Sequence, residues 1–155
     1  MTHVDEELYL DIVIHGHAEP AGSKTRTAYG VRDSNPRSRP WKTQVAQHVA
    51  PVLEHAELET GPITLRLDFY TPRPKGHHKP NGDLNAAGQR MPYPTRKPDV
   101  LKLARAIEDA LTGIAYRDDA QIVREHLAKH YAPRPSVRIR AYRITSPRDE
   151  EGVAP

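Results

Sequence analysis

One short stretch of the chain combines carboxylates with basic side chains. Asp99 follows Pro98 directly, and the pair Asp118-Asp119 closes the same stretch. Magnesium prefers oxygen ligands, typically one or two carboxylates with waters and substrate phosphate oxygens. An ion held in this way can activate a water and stabilise an in-line displacement at phosphorus, and a neighbouring cation offsets the charge that builds on the phosphate. These residue types therefore indicate phosphodiester cleavage, provided that the fold gathers the carboxylates.

Each of these features also has a purely structural explanation. Asp99 taken alone is a suitable helix cap, because aspartate is a preferred N-cap residue. The pair Asp118-Asp119 is typical of a turn, and Arg105 with Glu108 is typical of a surface ion pair. The chemical interpretation requires these residues to act together.

The residues that follow the first carboxylate predict an amphipathic helix. A preceding proline cannot continue a helix backwards, and Asp99 suits the N-cap. Gly113 suits the C-terminal stop. Leu101, Arg105 and Glu108 share one flank of this helix. Its core-facing stripe has helical spacing and consists of Val100, Leu103, Ala104, Ile107 and Leu111.

The same stretch resembles the signature of the RusA family of Holliday junction resolvases, endodeoxyribonucleases found in phages and prophages. The family pattern is roughly Lys-Pro-Asp-x-Asp-(Asn/Lys)-Leu-x-(Lys/Arg)-Ala, then Asp-Ala-Leu-x-Gly, then Tyr-x-Asp-Asp-x-Gln-(Ile/Val). The chain supplies Lys97-Pro98-Asp99, Leu103, Arg105-Ala106, Asp109-Ala110-Leu111, Gly113, Tyr116, Asp118-Asp119 and Gln121-Ile122-Val123. So many matches close together are specific, unlike a lone acidic pair. Thinner matches lie outside this stretch, at Gly22-Ser23-Lys24, Trp41 and the Arg-Pro-Lys that begins at Arg73.

The resemblance implies a homodimer that binds four-way DNA junctions and makes paired, magnesium-dependent nicks in DNA recombination and repair. Asp99 and Asp119 match two of the family's metal-binding aspartates. Arg105 stands where the family has a catalytically important lysine. Arginine keeps the positive charge and can bind phosphate, but its guanidinium is a planar fork that would not serve as a proton donor.

One position departs from the family pattern, because Leu101 replaces its second aspartate. A leucine cannot bind magnesium. Glu108 shares the flank but lies two turns further on, roughly 10 Å along the axis at 1.5 Å per residue, which is too far for a direct substitution. Asp118 is expected to fill the gap. The predicted catalytic residues are Asp99, Asp119, Asp118 and Arg105, and the three aspartates are the predicted Mg²⁺ ligands.

The remaining chain predicts an α+β fold with a mixed β-sheet of about four strands and two main helices. Period-two apolar patterns predict strands over residues 8–15, 63–70, 120–131 and 137–144, the last two forming an antiparallel hairpin. A helix is predicted over residues 41–58, kinked at Pro51. Residues 1–155 are expected to form one RusA-like domain, with a frayed tail from Ser146.

Two long loops, residues 16–40 and 71–96, are rich in proline, glycine and basic residues. Loops of this length in a small domain are often functional or disordered. One interpretation is a pair of basic arms that close over a DNA backbone, with Tyr29 available to stack on a base. The alternative is a solvated, mobile segment. The predicted DNA-binding residues are Lys24, Arg26, Arg73, Lys75, Arg96, Lys97 and Lys102.

Composition limits the class of protein. The net charge is +3 and the isoelectric point about 9.2, which suits a phosphate-rich partner but equally suits simple solubility. Hydrophobic residues make up 37% of the chain, so the core is thin and a homodimer is expected. The absence of cysteine excludes disulfides and thiolate metal sites and favours a cytoplasmic location. No apolar run approaches the roughly 20 residues needed to cross a bilayer, so no membrane partner is predicted.

The predicted function is that of a magnesium-dependent endodeoxyribonuclease that resolves four-way or branched DNA junctions. One alternative is a junction-binding protein whose catalysis is weakened by Leu101. Another is a generic basic phage DNA-binding protein whose acidic residues only cap helices and turns.

Overall fold

Six strands build the fold, and most of them are rich in the β-branched and aromatic residues that favour sheets. The computed structural model describes residues 5–145. Within them, four strands form one mixed sheet, and two form a separate hairpin. In chain order the strands are β1 (Glu6–His15), β2 (Lys24–Thr27), β3 (Gly30–Asp33), β4 (Ile63–Thr71), β5 (Ile122–Tyr131) and β6 (Ser136–Ile144). The predicted α+β class with a mixed four-stranded sheet is confirmed.

Two main helices and one short helix accompany the sheet. They are α1 (Ser38–Val49), α2 (Ala86–Arg90) and α3 (Val100–Leu111), with 3-10 turns at Lys75–His77 and Asp119–Gln121. The helix predicted over residues 41–58 is shorter than expected. It ends before Pro51, where the missing backbone donor stops the helix instead of kinking it. Among residues 5–145, no helix combines the length and apolarity needed to cross a lipid bilayer.

The strand order in the main sheet is β1-β6-β4-β5. The prediction that β5 and β6 form a hairpin is wrong, because β4 lies between them and β5 pairs with β4 in parallel. The inward residues of β4 are all buried, so β4 takes an interior position that has a strand on each side. The connection through Pro133 and Pro135 passes over β4, and four extended residues can span roughly 13 Å, enough for two strand spacings.

The parallel β4–β5 pair places α3 in the connection between the two strands, as parallel strands require. Because α3 runs back across the sheet, its first turn lies near the end of β5 and its last turn near the start of β5. Lys129 near the end of β5 donates hydrogen bonds to the backbone oxygens of Arg96 and Pro98, at 2.9 and 3.0 Å. This crossover fixes which residues of β5 lie beneath which residues of α3.

The hydrophobic core lies between one face of the sheet and the helices α1 and α3. The apolar stripe predicted for α3 is buried, including Leu103, Ile107 and Leu111. On β1 the predicted alternation fails at its first position: Leu8 is 47% exposed. A register shift between Leu8 and Leu10 turns Tyr9 towards the core, where its hydroxyl donates to the backbone oxygen of Ala115 at 3.0 Å.

The two long basic loops contain regular structure that the sequence did not predict. Residues 16–40 hold the β2–β3 hairpin, and residues 71–96 hold α2 and a 3-10 turn. The second loop is organised by Arg73, whose guanidinium donates to the backbone oxygens of Gly88 and Met91 and lies over the Tyr131 ring. The tail from Ser146, predicted to be frayed, lies outside the described residues.

A charged cluster on the outer face of the sheet gives a stability prediction. Asp68 accepts hydrogen bonds from His130 at 2.8 Å and Arg140 at 2.9 Å. Burial would raise the pKa of Asp68, but the hydrogen bonds from His130 and Arg140 outweigh burial and hold the pKa below its usual value. Asp68→Asn is expected to lower the free energy of unfolding at pH 7 by about 1–3 kcal/mol.

Because a carboxyl with a depressed pKa stabilises the fold only while ionised, this loss should shrink as the pH falls below about 4. Urea unfolding at pH 7 and pH 3 measures the effect. Asp11→Asn is the matched control: Asp11 pairs with Arg138 on the surface, where such a pair contributes at most about 1 kcal/mol. Equal losses for the two variants would contradict the prediction.

Candidate active site

A groove of about 430 Å³ runs along the exposed flank of α3. Its lining includes the three residues that were predicted to share one flank, Leu101, Arg105 and Glu108. Glu125 of β5 also lines it. So do residues 21–23, which precede the β2–β3 hairpin. Leu101 is 69% exposed, so the leucine that replaces the family's aspartate faces the groove and not the core.

Two carboxyl groups meet in this groove, from Glu108 on α3 and Glu125 on β5. Glu125 pairs with Leu65 in the sheet register, and Leu65 is fully buried, so Glu125 projects from the face that α3 covers. Burial of the Glu108 carboxyl, together with its hydrogen bond to Glu125 and the charges of Glu125, Asp119 and Asp109, raises its pKa to about 8. The Glu108 carboxyl thus favours its protonated form more than an ordinary glutamate does.

Asp119 adds a third carboxylate near the same end of α3. Its charge contributes to the raised pKa of Glu108. A hydrogen bond with Asp118, burial, and the charges of Asp118 and Asp109 raise the pKa of Asp119 itself. Within residues 5–145, no three acidic, histidine or cysteine side chains are close enough to one another to enclose a metal ion on their own.

Hydrogen bonds within the turn after α3 position Asp119. Asp118 accepts a hydrogen bond from the Ala120 backbone and forms a capping box with Gln121. The Gln121 amide in turn donates to the backbone oxygens of Glu59 and Gly61, at 3.0 and 2.9 Å. The carboxylate of Asp118 is thus used in the turn, and the backbone hydrogen bond from Ala120 is the main cause of its lowered pKa.

The end of α3 is fixed by two further signature residues. The buried Tyr116 hydroxyl donates to the backbone oxygen of Glu108 at 2.8 Å. Gly113 has φ of +85°, a conformation that favours glycine, and its N–H donates to the Tyr116 backbone oxygen at 2.7 Å. These contacts hold the backbone that carries Glu108.

Asp99 lies at the other end of the groove. Its side chain accepts a hydrogen bond from the Lys102 backbone as the N-cap of α3 and forms an ion pair with the Lys102 ammonium at 3.7 Å. The nine residues from Asp99 to Glu108 span roughly 14 Å at 1.5 Å per residue. The structure therefore does not bring Asp99 together with Asp119, whose charged neighbours are near the C-terminal end of α3.

Basic side chains lie between and beside the carboxylates. Arg105 and Lys102 are exposed along the groove. A second, wider groove of about 840 Å³ continues from Asp99 and Lys102 past Lys97 towards the hairpin. Of the other predicted DNA-binding residues, Lys24, Arg26, Lys75 and Arg96 are exposed. Arg73 differs, since its guanidinium is occupied by backbone carbonyls of the second loop.

The sequence matches the family model described as "Endodeoxyribonuclease RusA" over residues 14–142, a range that includes both grooves. The chain belongs to the RusA family. It is also 31% identical over 120 residues to "Uncharacterized protein YqaN" of Bacillus subtilis (strain 168), a match that covers 77% of this chain and 83% of that protein. The resemblance inferred from the signature is confirmed, and RusA nucleases in general depend on metal ions.

Glu125 lines the groove but was not among the predicted site residues. A signal was present, because Glu125 lies two residues before Leu127 on the strand predicted over residues 120–131, and Leu127 packs against the core. Its neighbour Glu108 had been set aside because it lies two turns from position 101.

Proposed function

We propose that this protein is a magnesium-dependent endodeoxyribonuclease that resolves four-way or other branched DNA junctions by paired nicking in recombination and repair. The proposal is supported by one observation above all: the Glu108 and Glu125 carboxyls share a groove with Arg105, and the charge of Asp119 acts on Glu108. Such an arrangement suits a phosphodiester substrate, because carboxylates recruit the metal while a guanidinium binds phosphate.

The donor set fits magnesium. Two carboxyls in direct contact repel each other unless a proton or a cation lies between them, and this repulsion adds to burial, the larger cause, in raising the pKa of Glu108. Magnesium is often held by only one or two carboxylates, with waters and substrate phosphates completing its shell. We assign Glu108, Glu125 and Asp119 to hold it. When bound, the ion supplies charge stabilisation at phosphorus and an activated water.

The remaining residues bind and orient the DNA. Arg105 projects into the groove one turn before Glu108, where it can form a bidentate contact with a phosphate and offset its developing charge. Asp99 and Asp118 are kept as proposed catalytic carboxylates from the family match, Asp118 also orienting Asp119 through the turn. The proposed phosphate-contacting set is Lys24, Arg26, Lys75, Arg96, Lys97 and Lys102, whereas the Arg73 guanidinium holds the second loop together.

We further propose a cytoplasmic homodimer, because two nicks on opposite strands of a junction call for two active sites. Light scattering on the purified protein tests this part, and a monomer at the concentrations that cleave would contradict it. The second candidate function, junction binding without efficient catalysis, is favoured by Leu101, which places an apolar side chain where the family has a ligand.

A nicking assay on synthetic four-way junctions distinguishes the two functions. Wild-type protein with magnesium is expected to cut the junction and spare a linear duplex of the same sequence. Leu101→Asp, which restores the family's aspartate, is expected to bring no gain in cleavage, because Glu108 and Glu125 already supply the carboxylates. Tight binding without cutting by the wild type, and cutting that appears only in Leu101→Asp, would instead establish the non-catalytic alternative.

A further inference from the structure

The β2–β3 hairpin pairs only with itself and projects from the wall of the active-site groove. Its strands form a sheet separate from the main one. The backbone that leads into it, at Gly22 and Ser23, lines both grooves. Whatever the grooves bind therefore passes close to the hairpin.

The tip of this hairpin displays an aromatic ring to solvent. Tyr29 is 94% exposed and Val31 is 63% exposed. The turn that carries the ring is held by the Thr27 hydroxyl, which donates to the Gly30 backbone oxygen at 2.8 Å and accepts from the Tyr29 N–H at 3.3 Å. The ring of Tyr29 is therefore free to contact another molecule.

Basic side chains occupy both faces of the hairpin. Arg26 pairs with Val31 in the register and Arg32 pairs with Thr25, so the two arginines project on opposite faces. Lys24 is also exposed. In the part of the chain from residue 5 to residue 145, none of these three cations pairs with a carboxylate. The partner that fits both faces is anionic.

The base of the hairpin is anchored to the helices. The Asp33 carboxylate accepts hydrogen bonds from the Gly22 and Asn35 backbones, at 2.8 and 2.9 Å, and pairs with Lys42 of α1 at 3.8 Å. Lys42 also binds Asp109 of α3 at 3.1 Å. A side chain at Gly22 would collide with this cluster, since a Cβ there would lie 2.6 Å from the Asn35 nitrogen. The base of the hairpin is thus held at a fixed place relative to α3.

An exposed aromatic ring among cations is the combination that binds unstacked nucleobases. In a continuous duplex every base is stacked, whereas a branch point offers bases whose stacking is interrupted, with a phosphate backbone on each side. Cations on both faces of the hairpin match that arrangement. A two-stranded ribbon can also enter the major groove of linear DNA, and the experiment below separates the two modes.

Building on the proposed function, we propose that the Ala28–Tyr29 tip is a wedge that stacks on an unstacked base at the branch point of a DNA junction. Arg26 and Arg32 contact the backbones of the two flanking arms. The hairpin, rather than the carboxylate groove, then gives this protein its preference for branched over linear DNA.

The test measures binding by full-length Asp119→Asn protein, which separates binding from cleavage, to a four-way junction carrying 2-aminopurine beside the branch point. Adding Tyr29→Ala is expected to weaken junction binding by about tenfold, as expected for one lost base–aromatic stack, and to abolish the fluorescence rise that reports unstacking. Tyr29→Trp should restore both. Val52→Ala is the control, since Val52 is 57% exposed but lies outside both basic loops.

Linear duplex affinity should be the same in all these variants. An equal loss for Tyr29→Ala on junction and linear duplex would overturn the wedge and indicate groove insertion, and unchanged junction binding would overturn it outright. If the Asp119→Asn protein with Tyr29 intact shows no preference for the junction, the proposed function itself fails. If the protein still prefers the junction but Tyr29→Ala leaves junction binding unchanged, only the wedge proposal fails.

Discussion

Glu108→Gln is expected to lower magnesium-dependent junction cleavage by at least about 100-fold. Changing a residue that only hydrogen-bonds to a metal ligand already costs up to about 100-fold, and the loss of a ligand itself should cost no less. Glutamine keeps the size and hydrogen-bonding capacity of the side chain but removes the charge that attracts the ion. Junction binding should be retained, because the cations that contact phosphate are untouched. Cleavage rates and gel-shift affinities on the same junction measure the two effects separately.

A second measurement on Glu108→Gln does not depend on catalysis. Magnesium should raise the melting temperature of the wild type, since binding to the native state stabilises it. This gain should be much smaller in Glu108→Gln. At pH 8 without metal the variant should melt no lower than the wild type, because the repulsion between Glu108 and Glu125 is gone.

Glu57→Gln is the matched control for both measurements, because Glu57 is exposed and does not line the groove. It should leave cleavage and the magnesium-dependent gain unchanged. Full cleavage by Glu108→Gln would refute the assignment of the metal to this end of α3. A loss of cleavage in Asp99→Asn alone would place the metal at the other end.

Asp119→Asn should likewise reduce cleavage by at least about 100-fold with junction binding retained. Asparagine cannot supply the negative charge, yet the turn should persist because the capping contacts belong to Asp118 and Gln121. Stopped-time nicking assays under magnesium excess measure the loss. If Asp119→Asn cuts at the wild-type rate, neither the family match nor the carboxylate cluster identifies the metal site.

Asp118→Asn is the informative companion of this variant. Asparagine is as good an N-cap as aspartate, so the turn is preserved and only the charge is removed. A large loss of cleavage would make Asp118 a ligand, as the sequence predicts. Retained cleavage would limit Asp118 to positioning Asp119.

Predictions from the sequence were most accurate for elements whose structure is determined by neighbouring residues. The bounds of α3 followed from the Asp99 cap, the apolar stripe and Gly113, all of which act within a turn or two. The pairing partner of β5 could not be predicted in this way. Either β4 or β6 could lie beside β5, and the outcome depends on packing between residues that are far apart in the sequence. The β2–β3 hairpin was not predicted, because its short strands have no alternation of apolar residues. It depends instead on contacts such as the hydrogen bond between Asp33 and Gly22.

The same distinction explains the outcome for the site. Asp119 and Arg105 were predicted because the family signature contains acidic and basic residues at these spacings. Glu125 was missed because its nearness to Glu108 depends on the parallel β4–β5 pairing, which no local pattern reveals. Asp99 and Asp119 were expected to meet, but they flank a helix of three turns.

The contacts of Tyr116 and Gln121 bear on what the family signature encodes. These residues fix the end of α3 and the turn after it through hydrogen bonds to backbone oxygens. Seven residues bring a helix back to nearly the same face, with a drift of only about 20°. The proposed ligand Glu108 therefore faces the same flank of α3 as Leu101, where the family pattern has an aspartate. On this assignment the signature fixes the position of the helix and the turn, and not the turn of the helix that binds the ion.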